Sequence, residues 1–183
     1  LNVGFFVFER LPILGGHPLV AWRHYHDRQH FRVWQLVTSM FCHRDYQHLS
    51  GNLFGLYIFG RALEEQVGAL GLIAAFLICG VLGSVASGIR LRGHYVSLGA
   101  SGAVFGLFIA ATLAKLQPDM RCLVEFFVLG QFAVSQVQGE LAGPARLGVD
   151  STAHVAGALG GALAFWLVRR RRNTASGARG SRV

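Results

Sequence analysis

Three short groups of residues carry side chains that could do chemistry in otherwise apolar surroundings. The first is Gly99-Ala100-Ser101-Gly102. Flanking glycines leave a serine hydroxyl unshielded, so a second helix and a substrate backbone can come close to it. Gly106, four residues after Gly102, extends the smooth strip along the same helical face. The second group is Ala153-His154-Val155-Ala156-Gly157. Gly157 and Gly161 form a small-residue pair at the spacing that marks close helix contact in membranes, and His154 lies near that face. A neutral imidazole beside a serine hydroxyl can take its proton and make the oxygen a nucleophile. The third group is His48 with Asn52, one helical turn apart and so on one face. Both donate hydrogen bonds, which suits an oxyanion developing on an attacked carbonyl. His43, just upstream, is placed to join them.

Each group taken alone also has a plainer reading. A serine in a membrane helix often bonds back to its own backbone, and a buried histidine can simply serve a carbonyl; both readings stay open at this level. The histidines at His24, His26 and His30, with His43 and His48, invite a metal. Their spacing matches no zinc motif and brings no acidic partner, so neither metal nor cofactor is expected. Cys42, Cys79 and Cys122 are odd in number and widely spaced, and read as small apolar residues.

The elements that must position these groups are membrane helices. Hydrophobic residues make up 52% of the 183 and charged ones 14%, well under the roughly 25% charged residues of soluble domains. Mean hydropathy is +0.44. The 24 glycines fit the same class, since glycine lets membrane helices pack closely. Candidate spans run over 48–63, 70–89, 98–116, 122–137 and 152–168. Residues 1–8 are apolar but too short to span; they are expected to be the end of a further helix, and the sequence a piece of a longer protein. Residues 9–47 read as a long loop whose Trp22, Tyr25 and Trp34 favour the membrane–water boundary. Residues 169–183 read as a basic tail without regular structure, suited to anionic lipid headgroups. The net charge of +8 is almost all arginine, scattered over loops and tail. No basic face with interleaved aromatics appears, so no nucleic-acid partner is expected. Charge does not fix orientation, because the arginine runs at 169–172 and in the early loop oppose each other.

In order and placement, His48-Leu49-Ser50-Gly51-Asn52, Gly99-Ala100-Ser101-Gly102 and Ala153-His154-Val155-Ala156-Gly157 resemble the motifs of rhomboid intramembrane serine proteases. The resemblance implies an all-α, polytopic bundle of six membrane helices, the first only partly present, over 1–168. It implies a Ser–His dyad without aspartate: Ser101 as nucleophile, His154 as base, and His48, Asn52 and the Ser101 N–H around the oxyanion. Phe105 matches an aromatic that packs on the histidine, and Gly99, Gly102 and Gly157 support the pair. The loop over 9–47 resembles one that lies in the outer leaflet, although Trp34-Gln35 replaces the Trp-Arg many members carry. Leu56-Tyr57-Ile58-Phe59-Gly60 and Val104-Phe105-Gly106-Leu107-Phe108 resemble plant and algal plastid members. A plastid membrane is therefore favoured, with a bacterial-type inner membrane or another organelle membrane as alternatives.

The expected reaction is endoproteolysis of transmembrane segments of other membrane proteins. A non-cleaving rhomboid-fold scaffold or a subunit of a larger membrane assembly is the main alternative. A small channel or transporter is the other, weakened by the lack of repeats and of several acidic residues in spans.

Overall fold

Two apolar stretches separated by Gly68 form the longest element of the fold. The computed structural model describes residues 1–10, 26–27, 31–90, 96–115 and 151–180. They form α1 (Asn2–Arg10), β1 (His26–Asp27), α2 (Gln35–Thr38) running into a 3-10 turn (Ser39–Phe41), α3 (Tyr46–Arg90), β2 (Val96–Ser97), α4 (Ser101–Lys115) and α5 (Ser151–Gly180). The architecture is an all-α membrane bundle. The two-residue strands β1 and β2 pair antiparallel, His26 opposite Ser97 and Asp27 opposite Val96.

α3 covers 45 residues, but Gly68 at φ 74°, ψ 171° leaves the helical region, so two helices meet there at a kink. Glycine reaches that backbone region without a Cβ penalty, so the chain can turn there with no separate linker. The expected spans 48–63 and 70–89 thus become two arms of one element. Their packing shows that they run in opposite directions. Gly55 and Phe59 lie against Val104 and Phe108 of α4, so the first arm runs with α4. Cys79 lies against Gly106, and Gly83 and Gly102 share the Ala153 backbone, so the second arm runs against it. Gly60 meets Leu72 across the bend. Each arm is close to the roughly 20 residues a span needs. Among the described residues, α3 is the one helix long and apolar enough to cross a membrane.

α4 is the central helix. Ala103, Val104, Leu107, Phe108, Ala110 and Ala111 are all buried. The outer faces of α3 and α5 instead expose Tyr57, Leu70, Ile73, Ile89, Val155, Leu159 and Trp166. A water-soluble bundle would expose its polar residues there; an apolar exterior is matched by lipid. Hydrophobic burial cannot then pull the helices together, because lipid tails are as apolar as leucine. Close van der Waals packing through small residues takes that role.

Several expectations are corrected. α4 begins at Ser101, not at Leu98, because Gly99 at φ 111° is outside the helical region. α5 does not end at Val168 but continues to Gly180, where the sequence suggested irregular chain. Arginine is a strong helix former, and extending an existing helix avoids the cost of a new nucleus. Arg170 lies 5.3 Å from the centre of the exposed Trp166 ring, a pairing suited to the headgroup level. The fourth candidate span, 122–137, lies outside the described residues, as do 11–25 and 28–30 of the large loop.

Inside that loop, Gln35 takes the place of the expected arginine in a different manner. It is buried, and its Oε1 accepts the Arg32 N–H at 2.9 Å. The cation on Trp34 comes from Arg32, whose guanidinium lies 5.2 Å from the ring centre. Met40 of the following turn fills the space left by Gly80 of α3, and Phe41 stands between Phe5 of α1 and Phe76 of α3, at 5.9 and 6.1 Å.

Candidate active site

Ser101 is the first residue of α4. At a helix start the leading N–H groups have no partner within the helix and carry the positive end of its dipole. The Ser101 N–H therefore belongs to a set of donors that favours negative charge nearby. The approach to it is held by backbone: the Gly99 N–H donates to the Ser39 carbonyl at 2.9 Å.

His154 is the fourth residue of α5 and is buried. Its Nε2 lies 2.8 Å from Ser101 Oγ. With the imidazole neutral and its proton on Nδ1, the hydroxyl donates to Nε2. The His154 ring stacks on Phe105, one turn further along α4, with centroids 4.7 Å apart and planes 17° from parallel. Two contacts thus set the ring, one at its tip and one on its face.

The glycine strips explain why these helices come so close. A Cβ on Gly157 would strike the Gly102 carbonyl, and one on Gly161 would strike that of Gly106. Gly102 in turn leaves 3.2 Å between its missing Cβ and the Ala153 carbonyl. The two strips read from the sequence therefore face each other, and their contact sets the distance between Ser101 and His154.

His48 reaches the same place from α3. A Cβ on Gly99 would lie 2.5 Å from His48 Cε1 and 2.7 Å from Nε2, so the imidazole occupies the room Gly99 leaves. Asn52 is buried one turn further on, and its Nδ2 donates to the His48 carbonyl at 2.8 Å. That bond commits one of the two amide hydrogens. Asn52 is tied to the site through His48, not through Ser101. His43 is fully buried, and its ring meets that of His48 edge-on at 5.1 Å.

The start of α3 is fixed by a residue the sequence reading passed over. Asp45 caps the helix: its Oδ1 accepts the His48 N–H at 2.8 Å, and its Oδ2 accepts from Arg44 Nε at 2.8 Å. Partial burial raises its carboxyl pKa, but the bonds from Arg44 and the His48 N–H outweigh this and hold it below the ordinary value of 3.8. A carboxyl lowered in the folded state stabilises above its unfolded pKa and loses that contribution as pH falls through the folded one. Asp45→Ala is expected to cost about 1 kcal/mol, the usual worth of such a cap. Thermal unfolding at neutral pH should show the loss, and the difference from wild type should shrink in acid. An unchanged melting temperature at neutral pH would remove the cap from the account.

Chemically, a hydroxyl bonded to a neutral imidazole, beside helix-terminal N–H groups and a second imidazole, can attack a carbonyl and stabilise the resulting oxyanion. The described residues contain no group of three or more His, Cys, Asp or Glu arranged to hold a metal ion.

The comparisons with known proteins give the family. A family model described as the Rhomboid domain matches residues 30–171. Rhomboid-like protein 11, chloroplastic, of Arabidopsis thaliana is 40% identical over 158 residues, covering 80% of this chain and 55% of that protein. The mitochondrial RHOMBOID-like protein 6 of the same plant is 34% identical over 135 residues, 70% of this chain and 41% of that protein. Rhomboid protease GluP of Bacillus subtilis is 30% identical over 138 residues, 70% of this chain and 24% of that protein. The chain thus spans about half the length of these relatives, or less. With the domain match taking in all three motif groups, the chain belongs to the rhomboid family, whose members are integral membrane proteins and include intramembrane proteases.

Proposed function

We propose that this chain is an intramembrane serine endopeptidase that cuts transmembrane segments of other membrane proteins. The observation that carries the reading is the 2.8 Å contact between Ser101 Oγ and His154 Nε2, made inside an apolar-faced bundle. His154 takes the Ser101 proton as Oγ attacks the scissile carbonyl. The oxyanion is held by the Ser101 N–H and His48, with the second amide hydrogen of Asn52 in support. His154 then returns the proton to the leaving amine, and a water activated by the same imidazole clears the acyl-enzyme. Helical peptide bonds are shielded, so substrates with glycine or other weak helix formers near the cut are favoured. The similarity to a chloroplastic relative supports a plastid membrane as the site of action.

The test is cleavage of a single-span substrate in proteoliposomes, run beside labelling with a fluorophosphonate. Cleavage with labelling at Ser101 supports the proposal. A folded chain that neither cleaves nor labels overturns it in favour of a rhomboid-fold scaffold. A finer expectation concerns Phe105. Phe105→Leu keeps an apolar side chain but removes the ring stacked on His154. Aromatic stacking is worth about 0.5–1.5 kcal/mol beyond burial, so kcat should fall by roughly 3- to 10-fold with the fold intact. An unchanged kcat would show that the ring does not orient the imidazole.

A further inference from the structure

We infer that His43 is a positioning residue for the oxyanion side of this site, its buried ring confining the His48 imidazole over Gly99. The inference rests on the proteolytic reading for its kinetic consequence, but not for its geometry. His43 is 1% exposed, and its Nδ1 lies 3.3 Å from the Phe41 carbonyl, to which an Nδ1–H donates. That bond fixes the ring plane. The His48 ring then meets a fixed surface at 5.1 Å and 62°, while its Cε1 and Nε2 fill the space at Gly99. A donor for an oxyanion must already point at the place where charge develops, because reorienting it during reaction forfeits most of its value. Such precision comes from neighbours whose own rotamers are locked by packing and hydrogen bonds. His43 meets that description, and the residue that holds it is itself packed: Phe41 lies between Phe5 of α1 and Phe76 of α3. The first helix is thereby linked to the oxyanion side through Phe41 and His43.

The test compares His43→Ala and His43→Phe in the full chain, alone and combined with His48→Ala. Losing an oxyanion donor outright costs about 10²–10³ in kcat, and a misplaced donor loses part of that. His43→Ala should lower kcat by roughly 10- to 100-fold with KM nearly unchanged, and His43→Phe, which restores a ring wall, should recover much of it. On the His48→Ala background His43→Ala should add no further loss, since the group it positions is gone. Losses that multiply, or that fall on KM alone, overturn the proposal. A second readout needs no activity. In a chain labelled with ¹⁵N-histidine, the His48 ring signals should shift or broaden in His43→Ala and return towards wild type in His43→Phe; unmoved signals in the Ala variant overturn the inference. A wild-type chain that cleaves nothing sinks the proteolytic reading instead, and the ring signals still decide the role of His43.

Discussion

Ser101→Ala is expected to reduce cleavage of a single-span substrate by roughly 10⁴-fold or more, to the background of the assay. Losses of this size follow removal of a serine nucleophile that works with a histidine base. The fold should survive. The lost bond to His154 is a single hydrogen bond, worth about 1 kcal/mol net, and the contacts that bring α4 and α5 together run through Gly102 and Gly106, not the serine side chain. The measurement therefore pairs initial rates with a melting temperature, and only the first should move. His154→Ala should cost about as much, and the double variant little more than either, because a nucleophile and its base act as one unit. A pH series adds an independent arm. His154 can accept a proton only when neutral, so the rate should fall as the medium is made acid. A rate that stays flat as the medium is made acid, down to the pH at which the fold is lost, would remove His154 as the base, and residual cleavage by purified Ser101→Ala would remove Ser101.

How much of this was legible in the sequence depended on whether a contact uses side-chain identity. The strips Gly102/Gly106 and Gly157/Gly161 were readable because that spacing has a packing meaning, and they do face each other. His48 and Asn52 were readable as one helical face, but not that Asn52 spends a hydrogen on the His48 carbonyl. The bond from the Gly99 N–H to the Ser39 carbonyl joins two backbone groups, and no residue type at position 39 announces it. The fit of Met40 against Gly80 is equally silent, since a methionine can fill many gaps. Ser101 at a helix start was hidden by the apolar run from Leu98, which periodicity alone carries into the helix. Gly99 was the clue, and its positive φ is what ends the ambiguity. The helical stretch after Val168 is hidden by its charge density, which suggests irregular chain, whereas four successive arginines continue a helix without strain.

Gly157→Ala is expected to disable the protein although it adds only a single methyl group. The new Cβ would meet the carbonyl oxygen, carbonyl carbon and Cα of Gly102. All are backbone, so no flexible side chain can swing aside. Either α5 moves away from α4 or the helices distort. Overpacking of this kind usually costs about 1–3 kcal/mol, and in a bilayer no hydrophobic driving force between helices offsets the lost contact. The displacement falls one turn from His154, so it also lengthens the 2.8 Å approach to Ser101. A misplacement of about 1 Å can cost 10²-fold in rate. Gly157→Ala should therefore lower both the melting temperature and kcat, the second by roughly 10²-fold. Gly161→Ala makes the same collision one turn deeper, with Gly106, and should destabilise comparably while costing less in rate, because it lies further from the imidazole. Leu159→Ala is the control: that side chain is 68% exposed on the outer face, and its loss should leave rate and stability near wild type. If Gly157→Ala behaved like Leu159→Ala, the close contact of α4 and α5 would not be what brings the hydroxyl and the imidazole together.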